Sequence, residues 1–298
     1  MGGSDSTLAV EVSGLCHNYG ERTALNGLSF TVGRGEIFGL LGPNGGGKTT
    51  TFRILSTLIR PQRGTARIFG FDLASQPQEV RRRIGVVFQA PSLDKKLTAY
   101  ENLMHQGHLY GLRGAELDRR IRMLLDRVKL ADRAKEYVET FSGGMRRRVE
   151  LAKGLIHGPQ LLLLDEPSTG LDPGARRDLW QYLEQLSREE GVTSLLTTHY
   201  MEEAAHCTNL AIINKGELVA LDTPARLRET IGGDVVTIQA KDPEVVRAKI
   251  LEALKLPATV VDGRVRIERE NGSELIGTLG QMFSGQAFAG QIEAMSIS

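Results

Sequence analysis

Hydrophobic and polar residues alternate along several short segments near the start of the chain, as they do in strands that bury one face. Leu8 to Val12 and Leu28 to Val32 alternate in this way, and Thr65 to Phe69 adds a third segment after the turn residues Pro61 to Gly64. Alternation of this kind is typical of antiparallel sheets with one solvated face. We therefore expect these segments to form a small antiparallel sheet.

A second pattern, short and continuously apolar, indicates strands that are buried on both faces. It occurs at Ile37 to Leu41, Ile84 to Phe88, Leu161 to Leu164 and Val192 to Thr197. Helical periodicity fills much of the chain between these segments. The sequence therefore predicts an α/β fold around a parallel sheet.

Two helical regions carry an apolar face. Residues from about 92 to 157 are predicted to be mainly helical, with a stripe that faces a core. The stripe consists of Leu117, Ile121, Leu124 and Val128. The helix after residue 48 has its own apolar face, formed by Phe52, Leu55, Leu58 and Ile59.

The C-terminal part of the chain has a pattern of its own. After a hairpin from Leu210 to Leu221, Ile231-Gly232-Gly233 is expected to be a linker. The elements beyond it are a strand (Asp234 to Ala240), a helix (Pro243 to Leu254), a strand (Ala258 to Val261), an Asp262-Gly263 turn, a strand (Arg264 to Glu268), a helix (Ser273 to Phe283) and a strand (Ile292 to Ile297). This β-α-β-β-α-β order is that of a ferredoxin-like split fold.

Two domains are therefore expected, at residues 8–230 and 234–298, with a helical subdomain at about 92–157. The C-terminal α+β domain shows no catalytic constellation. Bracing of a dimer and sensing of a small ligand both remain open as its role, since a fold does not determine a function.

Composition limits the class of protein. Of the 298 residues, 41% are hydrophobic and 24% charged, as in soluble globular proteins. A net charge of +1 provides no field that would draw the chain to nucleic acid or to an anionic bilayer, so we expect no nucleic-acid partner. Cys16 and Cys207 lack metal-ligand spacing and suggest reduced thiols of the cytosol. With no uncharged apolar stretch of about 18 residues, the chain is expected not to span a membrane.

The candidate chemistry begins in a glycine-rich loop between a predicted strand and a predicted helix. Its residues are Gly42, Pro43, Asn44, Gly45, Gly46, Gly47, Lys48, Thr49 and Thr50. The spacing is that of a Walker A motif, in which backbone N–H groups and the positive end of a helix dipole face a phosphate. Lys48 is placed to reach the β- and γ-phosphates of a nucleotide and Thr49 to supply a hydroxyl to Mg²⁺. The alternative is an ordinary glycine-rich turn.

Carboxylates and two further polar residues follow the apolar strands, at the edge where parallel sheets bind ligands. Asp165 is placed to hold Mg²⁺, and Glu166 to polarise a nucleophilic water. Gln89 ends an apolar strand and is placed to face Mg²⁺ and the attacking water, unless it is a plain loop residue. His199 arrives at the same edge and is predicted to contact the γ-phosphate.

Ser142-Gly143-Gly144 is a second candidate anion site, because Ser142 is a natural N-cap and the glycines expose backbone N–H groups. A simple serine-capped helix is the alternative. The run Arg146 to Arg148 that follows is typical of a solvated face. Asp172 is expected to cap a helix that ends near Gly191. Tyr19 is placed to stack on an adenine, or else is a core or surface tyrosine.

Together these motifs resemble the ATP-binding cassette family. The matching motifs are Tyr19, Gly42 to Thr50, Gln89, Ser142-Gly143-Gly144, Asp165-Glu166, Ser168 to Asp172 and His199, in the family's order and spacing. The resemblance covers about residues 8 to 230. It implies a P-loop ATPase core with an antiparallel β subdomain and a helical subdomain. Phe141 and Met145 depart from the commonest signature, and Ser-Gly-Gly-Met-Arg-Arg-Arg is similar to the bacterial daunorubicin-type exporter branch.

The resemblance also implies partners. The subunit would work as a dimer, with two ATPs between the Walker A loop of one subunit and the Ser142-Gly143-Gly144 helix of the other. Gln89 would couple the site to a partner, and Leu171-Asp172 would cross the dimer interface. Because one chain carries every motif, a homodimer is sufficient, although a heterodimer remains open.

An exporter ATPase that binds a separately encoded permease, on the cytoplasmic face of the membrane, is the first expectation. The ATPase of an importer, and a soluble cassette ATPase that acts on ribosomes or DNA, are the alternatives.

Overall fold

A computed structural model of the chain describes residues 7–231, 234–269, 272–283 and 292–297. The chain divides into two compact units, Met1–Pro224 and Ala225–Ser298. The division falls at the start of a helix, Pro224–Ile231, a few residues before the boundary that the sequence predicts. Gly232 and Gly233 of the expected linker lie outside the described residues.

The first unit combines strands and helices over its whole length. Its strands are β1 (Leu8–Tyr19), β2 (Arg22–Gly33), β3 (Ile37–Leu41), β4 (Arg63–Ile68), β5 (Phe71–Asp72), β6 (Ile84–Val87), β7 (Leu161–Asp165), β8 (Thr193–Thr198), β9 (Asn209–Asn214) and β10 (Glu217–Asp222). Its helices are α1 (Lys48–Leu55), α2 (Pro77–Arg83), α3 (Ala99–Leu109), α4 (Gly114–Arg127), α5 (Gly143–Leu155), α6 (Pro173–Glu190) and α7 (Met201–Ala204). In the part of the chain that the structure describes, no helix has both the length and the hydrophobicity to cross a bilayer.

The predicted antiparallel sheet is present, with strand order β2-β1-β4-β5. Its first two strands are longer than expected, because Leu8 to Val12 and Leu28 to Val32 are only the outer ends of a hairpin that pairs as far as Tyr19 and Arg22. Register shifts between Val12 and Tyr19 interrupt the two-residue alternation there. This interruption is the reason that the pattern indicated only part of each strand.

The main sheet has the order β10-β9-β3-β8-β7-β6, and the pairings of β9, β3, β8, β7 and β6 are parallel. The four apolar segments form strands of this sheet to within one residue of the predicted bounds. Leu161 and Leu163 of β7 pack into one hydrophobic core, whereas Leu162 and Leu164 pack into another that contains the helices α3 to α6. Because both faces are covered, ligands can reach the sheet only at its edge.

The helical region behaves largely as predicted. The predicted stripe runs from Leu117 to Val128, and Val128 directly follows the end of α4. The stripe is buried against α3, α5 and α6. The apolar face predicted for the first helix is wrong at one position, since α1 ends at Leu55 and the side chain of Leu58 is 57% exposed. Thr57 lies between them with a left-handed φ of 61°, which ends the helical periodicity.

The second unit begins with α8 (Pro224–Ile231). It continues with β11 (Asp234–Ala240), α9 (Pro243–Leu254), β12 (Thr259–Val261), β13 (Arg264–Arg269), α10 (Gly272–Phe283) and β14 (Ile292–Ile297). The strands form an antiparallel sheet of order β12-β13-β11-β14, which packs on α9 and α10 through residues such as Ile238, Ile250 and Leu279. This is the split β-α-β-β-α-β arrangement.

Gly85 of β6 tests how closely the sheet packs on the helices. A Cβ added at Gly85 would lie 2.3 Å from the carbonyl oxygen of Gly154 in α5, which is backbone and cannot rotate away. Gly85→Ala should therefore lower the free energy of unfolding by about 1–3 kcal/mol, measured by urea denaturation. Gly277→Ala in α10 is the control, because its Cβ would meet no atom of the described residues within 4 Å. A wild-type midpoint for Gly85→Ala would contradict the close approach.

Candidate functional site

The loop between β3 and α1 is tightly curled. Gly45 and Gly47 have φ values of 81° and 112°, which residues with a side chain rarely adopt. A Cβ at Gly42 would lie 2.1 Å from the carbonyl oxygen of Ile213, so no larger residue fits there. The loop thus wraps closely around the N-terminus of α1, as a phosphate cradle requires.

Lys48 is the first residue of α1 and is buried. Its Nζ donates hydrogen bonds to the carbonyl oxygens of Gly42, at 2.6 Å, and Pro43, at 3.1 Å. Burial lowers the pKa of Lys48, while the charges of Glu166 and Asp165 act in the opposite direction. The ammonium is therefore held over the loop with one proton left to donate.

An open pocket lies beside this loop. It is lined by Tyr19, Arg22, Ala24, Asn44, Gly45, Gly47, Lys48, Thr49, Thr50, Arg53 and Glu166. The Tyr19 ring is 44% exposed and packs edge-on against His17, which leaves a face for a ligand. The structure thus brings together the predicted adenine contact, the phosphate loop and one predicted catalytic carboxylate.

Two cations in this pocket were missed from the sequence. Arg53 lies one helical turn after Thr49, so the sequence could have indicated that it shares a helix face with Thr49 and lies near the phosphate site. Arg22 pairs with Tyr19 across the β1–β2 hairpin, which the alternation pattern did not extend far enough to show. Both cations add positive charge beside a phosphate site.

The two predicted carboxylates lie at the end of β7, on a backbone bent by Glu166. Glu166 has a left-handed φ of 43°, and its amide donates to Thr197 Oγ1 at 3.0 Å. The same hydroxyl donates to Asp165 Oδ1 at 2.6 Å. Burial raises the pKa of Asp165, and the hydrogen bond from Thr197 opposes this. Thr197 was not identified from the sequence, where it resembles any threonine of a buried strand.

Glu166 contacts the two other predicted catalytic residues. Gln89 Nε2 donates to Glu166 Oε2 at 3.0 Å, and His199 Nδ1 lies 3.3 Å from Glu166 Oε1. The Glu166 side chain is 14% exposed and that of His199 32%, so water can reach the group. A carboxylate held from both sides can accept a proton from a water aligned in front of it.

Ser142, Gly143 and Gly144 lie elsewhere. None of them lines the pocket beside Lys48. Ser142 caps α5 as predicted, since its hydroxyl accepts from the Met145 amide at 3.3 Å. Asp172 caps α6 by accepting from the amides of Gly174 and Ala175, and the second of these bonds is the main cause of its lowered pKa. The capped N-terminus of α5 is therefore separate from the pocket beside Lys48.

The prediction that Arg146 to Arg148 form a solvated face is wrong for Arg147. Its side chain is only 9% exposed, and its guanidinium donates to Glu150 and to backbone carbonyl oxygens. Arg146 and Arg148 are half-buried. Consecutive helical residues point about 100° apart, so three in a row cannot all face solvent on a helix that packs on one side.

Oxygen donors suit the predicted Mg²⁺. Thr49 is exposed and Asp165 buried, and Gln89, which uses its amide nitrogen on Glu166, keeps its amide oxygen for another partner. Among the described residues no group of three or more His, Cys, Asp or Glu side chains could hold a metal. A hydroxyl, an amide oxygen and one carboxylate fit a cation that takes its other ligands from phosphate and water.

Asp165→Asn should stabilise the nucleotide-free protein. Because the folded state raises the pKa of Asp165, the stability that this group contributes is greatest at low pH and is lost as pH rises. Asparagine keeps an acceptor for Thr197 without the charge. We expect a higher melting temperature near pH 7.5, by on the order of 2–4 °C, and little gain near pH 4. Asp132→Asn, at an exposed position after α4, is the control, and a gain confined to acid pH would contradict the argument.

Comparisons with known proteins identify the family of this chain. A family model described as ABC transporter matches residues 25–169. The chain is 43% identical over 239 residues to the daunorubicin/doxorubicin resistance ATP-binding protein DrrA of Streptomyces peucetius, covering 80% of this chain and 72% of that protein. It is 44% identical over 247 residues to Nod factor export ATP-binding protein I of Ralstonia nicotianae, covering 82% and 77%.

A solved structure shares the fold as well. The ATP-binding cassette MJ0796, in a dimeric post-hydrolysis state bound to ADP and Pi, matches with a TM-score of 0.64 and 28% identity, over 72% of this chain and 98% of that one. Identity above 40% across most of both chains shows that this chain belongs to the ABC transporter family.

Proposed function

We propose that this chain hydrolyses ATP at Glu166 and thereby drives export through a separate membrane permease. The observation that carries the proposal is the Glu166 carboxylate, held by Gln89 and His199 in the pocket that contains Lys48. ATP is the substrate that fits an exposed tyrosine ring, a phosphate loop and a carboxylate arranged in one pocket.

Each residue of the site has a separate role in hydrolysis. Tyr19 stacks on the adenine, while the loop amides and Lys48 bind the β- and γ-phosphates. Mg²⁺ held by Thr49, Gln89 and Asp165 would neutralise phosphate charge as the reaction proceeds. Glu166 accepts a proton from water as the water oxygen bonds to the γ-phosphorus and the bond to the ADP oxygen breaks.

His199 and Gln89 keep Glu166 in place during that step. Gln89 donates to one carboxylate oxygen, and His199 lies beside the other. A carboxylate that is already oriented needs no reorganisation when the proton moves, which is the main gain from a preorganised site. We also propose that His199, which lies 3.3 Å from Glu166, contacts the γ-phosphate.

The separation of the two phosphate-binding features supports a dimer. Ser142, Gly143 and Gly144 do not line the pocket beside Lys48, so they are available to a nucleotide bound by another subunit. The related cassette MJ0796 is dimeric in its structure with ADP and Pi. We propose that two copies of this chain pair so that the α5 N-terminus of each completes the pocket of the other. The C-terminal domain, residues 234–298, would brace that pair.

A permease would contact the groove beside Gln89. This groove is lined by residues that include Phe88, Ser92, Tyr110, Lys153 and His157. Phe88 and Ser92 lie on either side of Gln89 in the chain, so a partner seated there would act through them on the residue bound to Glu166. Drug resistance and Nod factor export, in the names of the two relatives, support export as the direction. The subunit would then be peripheral on the cytoplasmic face.

Glu166→Gln should separate nucleotide binding from hydrolysis. The amide keeps the shape of the side chain but cannot accept a proton, so turnover should fall at least 10²-fold. The dissociation constant for ATP should stay within about threefold, as measured by fluorescence titration. Glu202→Gln, at an exposed position of α7, is the matched control. Unchanged turnover in Glu166→Gln would remove Glu166 from the role of base.

Co-purification tests the permease. The tagged Glu166→Gln chain, with ATP present, should bring down a polytopic membrane protein from gently solubilised membranes. The variant is chosen because slow hydrolysis prolongs the nucleotide-bound state. Recovery of ribosomal or DNA-associated proteins, without a membrane protein, would contradict the transporter role but not the proposed ATP hydrolysis.

A further inference from the structure

One guanidinium, that of Arg147 in α5, binds the backbone on both sides of the catalytic carboxylate. Its Nε donates to the carbonyl oxygen of Pro167 at 2.8 Å, and its Nη2 to that of Asp165 at 3.3 Å. Its Nη1 donates to the carbonyl oxygen of Phe88 at 2.7 Å. Asp165 and Pro167 flank Glu166 in the chain, and Phe88 directly precedes Gln89.

The same face of α5 also binds the other end of the segment that carries Gln89, at Ser92. Glu150 pairs with Arg147 at 2.8 Å and accepts from the Ser92 amide at 2.8 Å. Lys153 Nζ donates to the Ser92 carbonyl oxygen at 2.7 Å. Arg147, Glu150 and Lys153 are spaced three residues apart and so share one helix face. The segment from Phe88 to Ser92 is thus bound to α5 at both ends.

We propose that Arg147 is a positioning residue for hydrolysis, which sets the contact between Gln89 and Glu166. The inference rests on the proposed function, because it concerns the same base. The Gln89–Glu166 hydrogen bond joins two segments that start from different strands, β6 and β7. Arg147 is the donor that these segments share, so moving its guanidinium changes the distance between them.

The arrangement also joins the site to the other end of α5. Ser142 caps the N-terminus of this helix, where the nucleotide of the second subunit is proposed to bind. Arg147 lies less than two turns further along the same helix. A displacement of α5 by that nucleotide would therefore be passed to the backbone of Phe88 and Asp165 through Arg147.

Lysine cannot replace arginine in this role. The planar guanidinium directs donors to three carbonyl oxygens and one carboxylate from a fixed fork, whereas an ammonium has three donors at one point. Arg147→Lys keeps the positive charge next to Glu150, so it removes the fork without leaving a buried carboxylate unpaired. The substitution thus changes the geometry more than the electrostatics.

The test is steady-state ATP hydrolysis by the full chain carrying Arg147→Lys. We expect kcat to fall at least tenfold, while KM and the dissociation constant for ATP stay within about twofold. Arg146→Lys is the matched control on the same helix, because among the described residues its guanidinium donates to the Phe141 carbonyl oxygen and not to the segments that carry Gln89 and Glu166. Wild-type kcat in Arg147→Lys, or an equal fall in Arg146→Lys, would overturn the proposal.

Two further variants separate positioning from general damage. Glu150→Gln keeps an acceptor for the Ser92 amide but loses the charge that holds Arg147, so it should also lower kcat with KM retained. In a Glu166→Gln background, Arg147→Lys should cause no further loss, because it acts through Glu166. An additive loss in that background, or a fall in kcat matched by weaker ATP binding, would overturn the role. Full activity of Glu166→Gln alone would instead refute the proposed function.

Discussion

Parallel pairing within one buried sheet is the constraint on which the site depends. Strands β3, β8, β7 and β6 pair side by side, and every residue of β3, β7 and β8 is buried. Their carboxyl ends therefore open on one edge, where the segments with Lys48, Gln89, Glu166 and His199 begin. Moving one of these segments would unpair buried backbone groups, at a cost of about 1–3 kcal/mol for each group. The sheet thus holds the groups that act on phosphate at a set spacing.

Buried polar side chains bind the strand ends to one another. Glu203 is 1% exposed and accepts hydrogen bonds from the hydroxyls of Ser168 and Thr198, which lie in the segments that carry Glu166 and His199. The left-handed backbone of Glu166 costs on the order of 1–2 kcal/mol, and its surroundings must hold it in that state. Arg147 extends the same network to α5. The residue with the strained backbone is the one proposed to accept the proton, and strained backbone conformations are common at active sites.

Features with local causes could be predicted from the sequence. The glycine loop from Gly42 to Thr50 depends on residues that tolerate a left-handed backbone, and the caps at Ser142 and Asp172 depend on bonds to amides within three residues. The element order of the second unit followed from the Asp262-Gly263 turn and the helical periods on either side. Chain order and the edge rule for parallel sheets predicted that Gln89, Glu166 and His199 lie at one edge, and in the structure they are in contact there.

Contacts between distant segments were decided only by the tertiary structure. Arg147 and Phe88 are 59 residues apart, and nothing in a run of three arginines shows which of them will be buried. Thr197 and Arg22 join the site because a neighbouring strand and a hairpin bring them there. The register shifts in β1 interrupt the alternation of apolar and polar residues, so the sequence pattern indicated only half of that hairpin. By itself, the sequence determined the local conformations and the chemistry of the motifs. The side chains that hold those motifs in place depend on packing angles between elements, which no local pattern records.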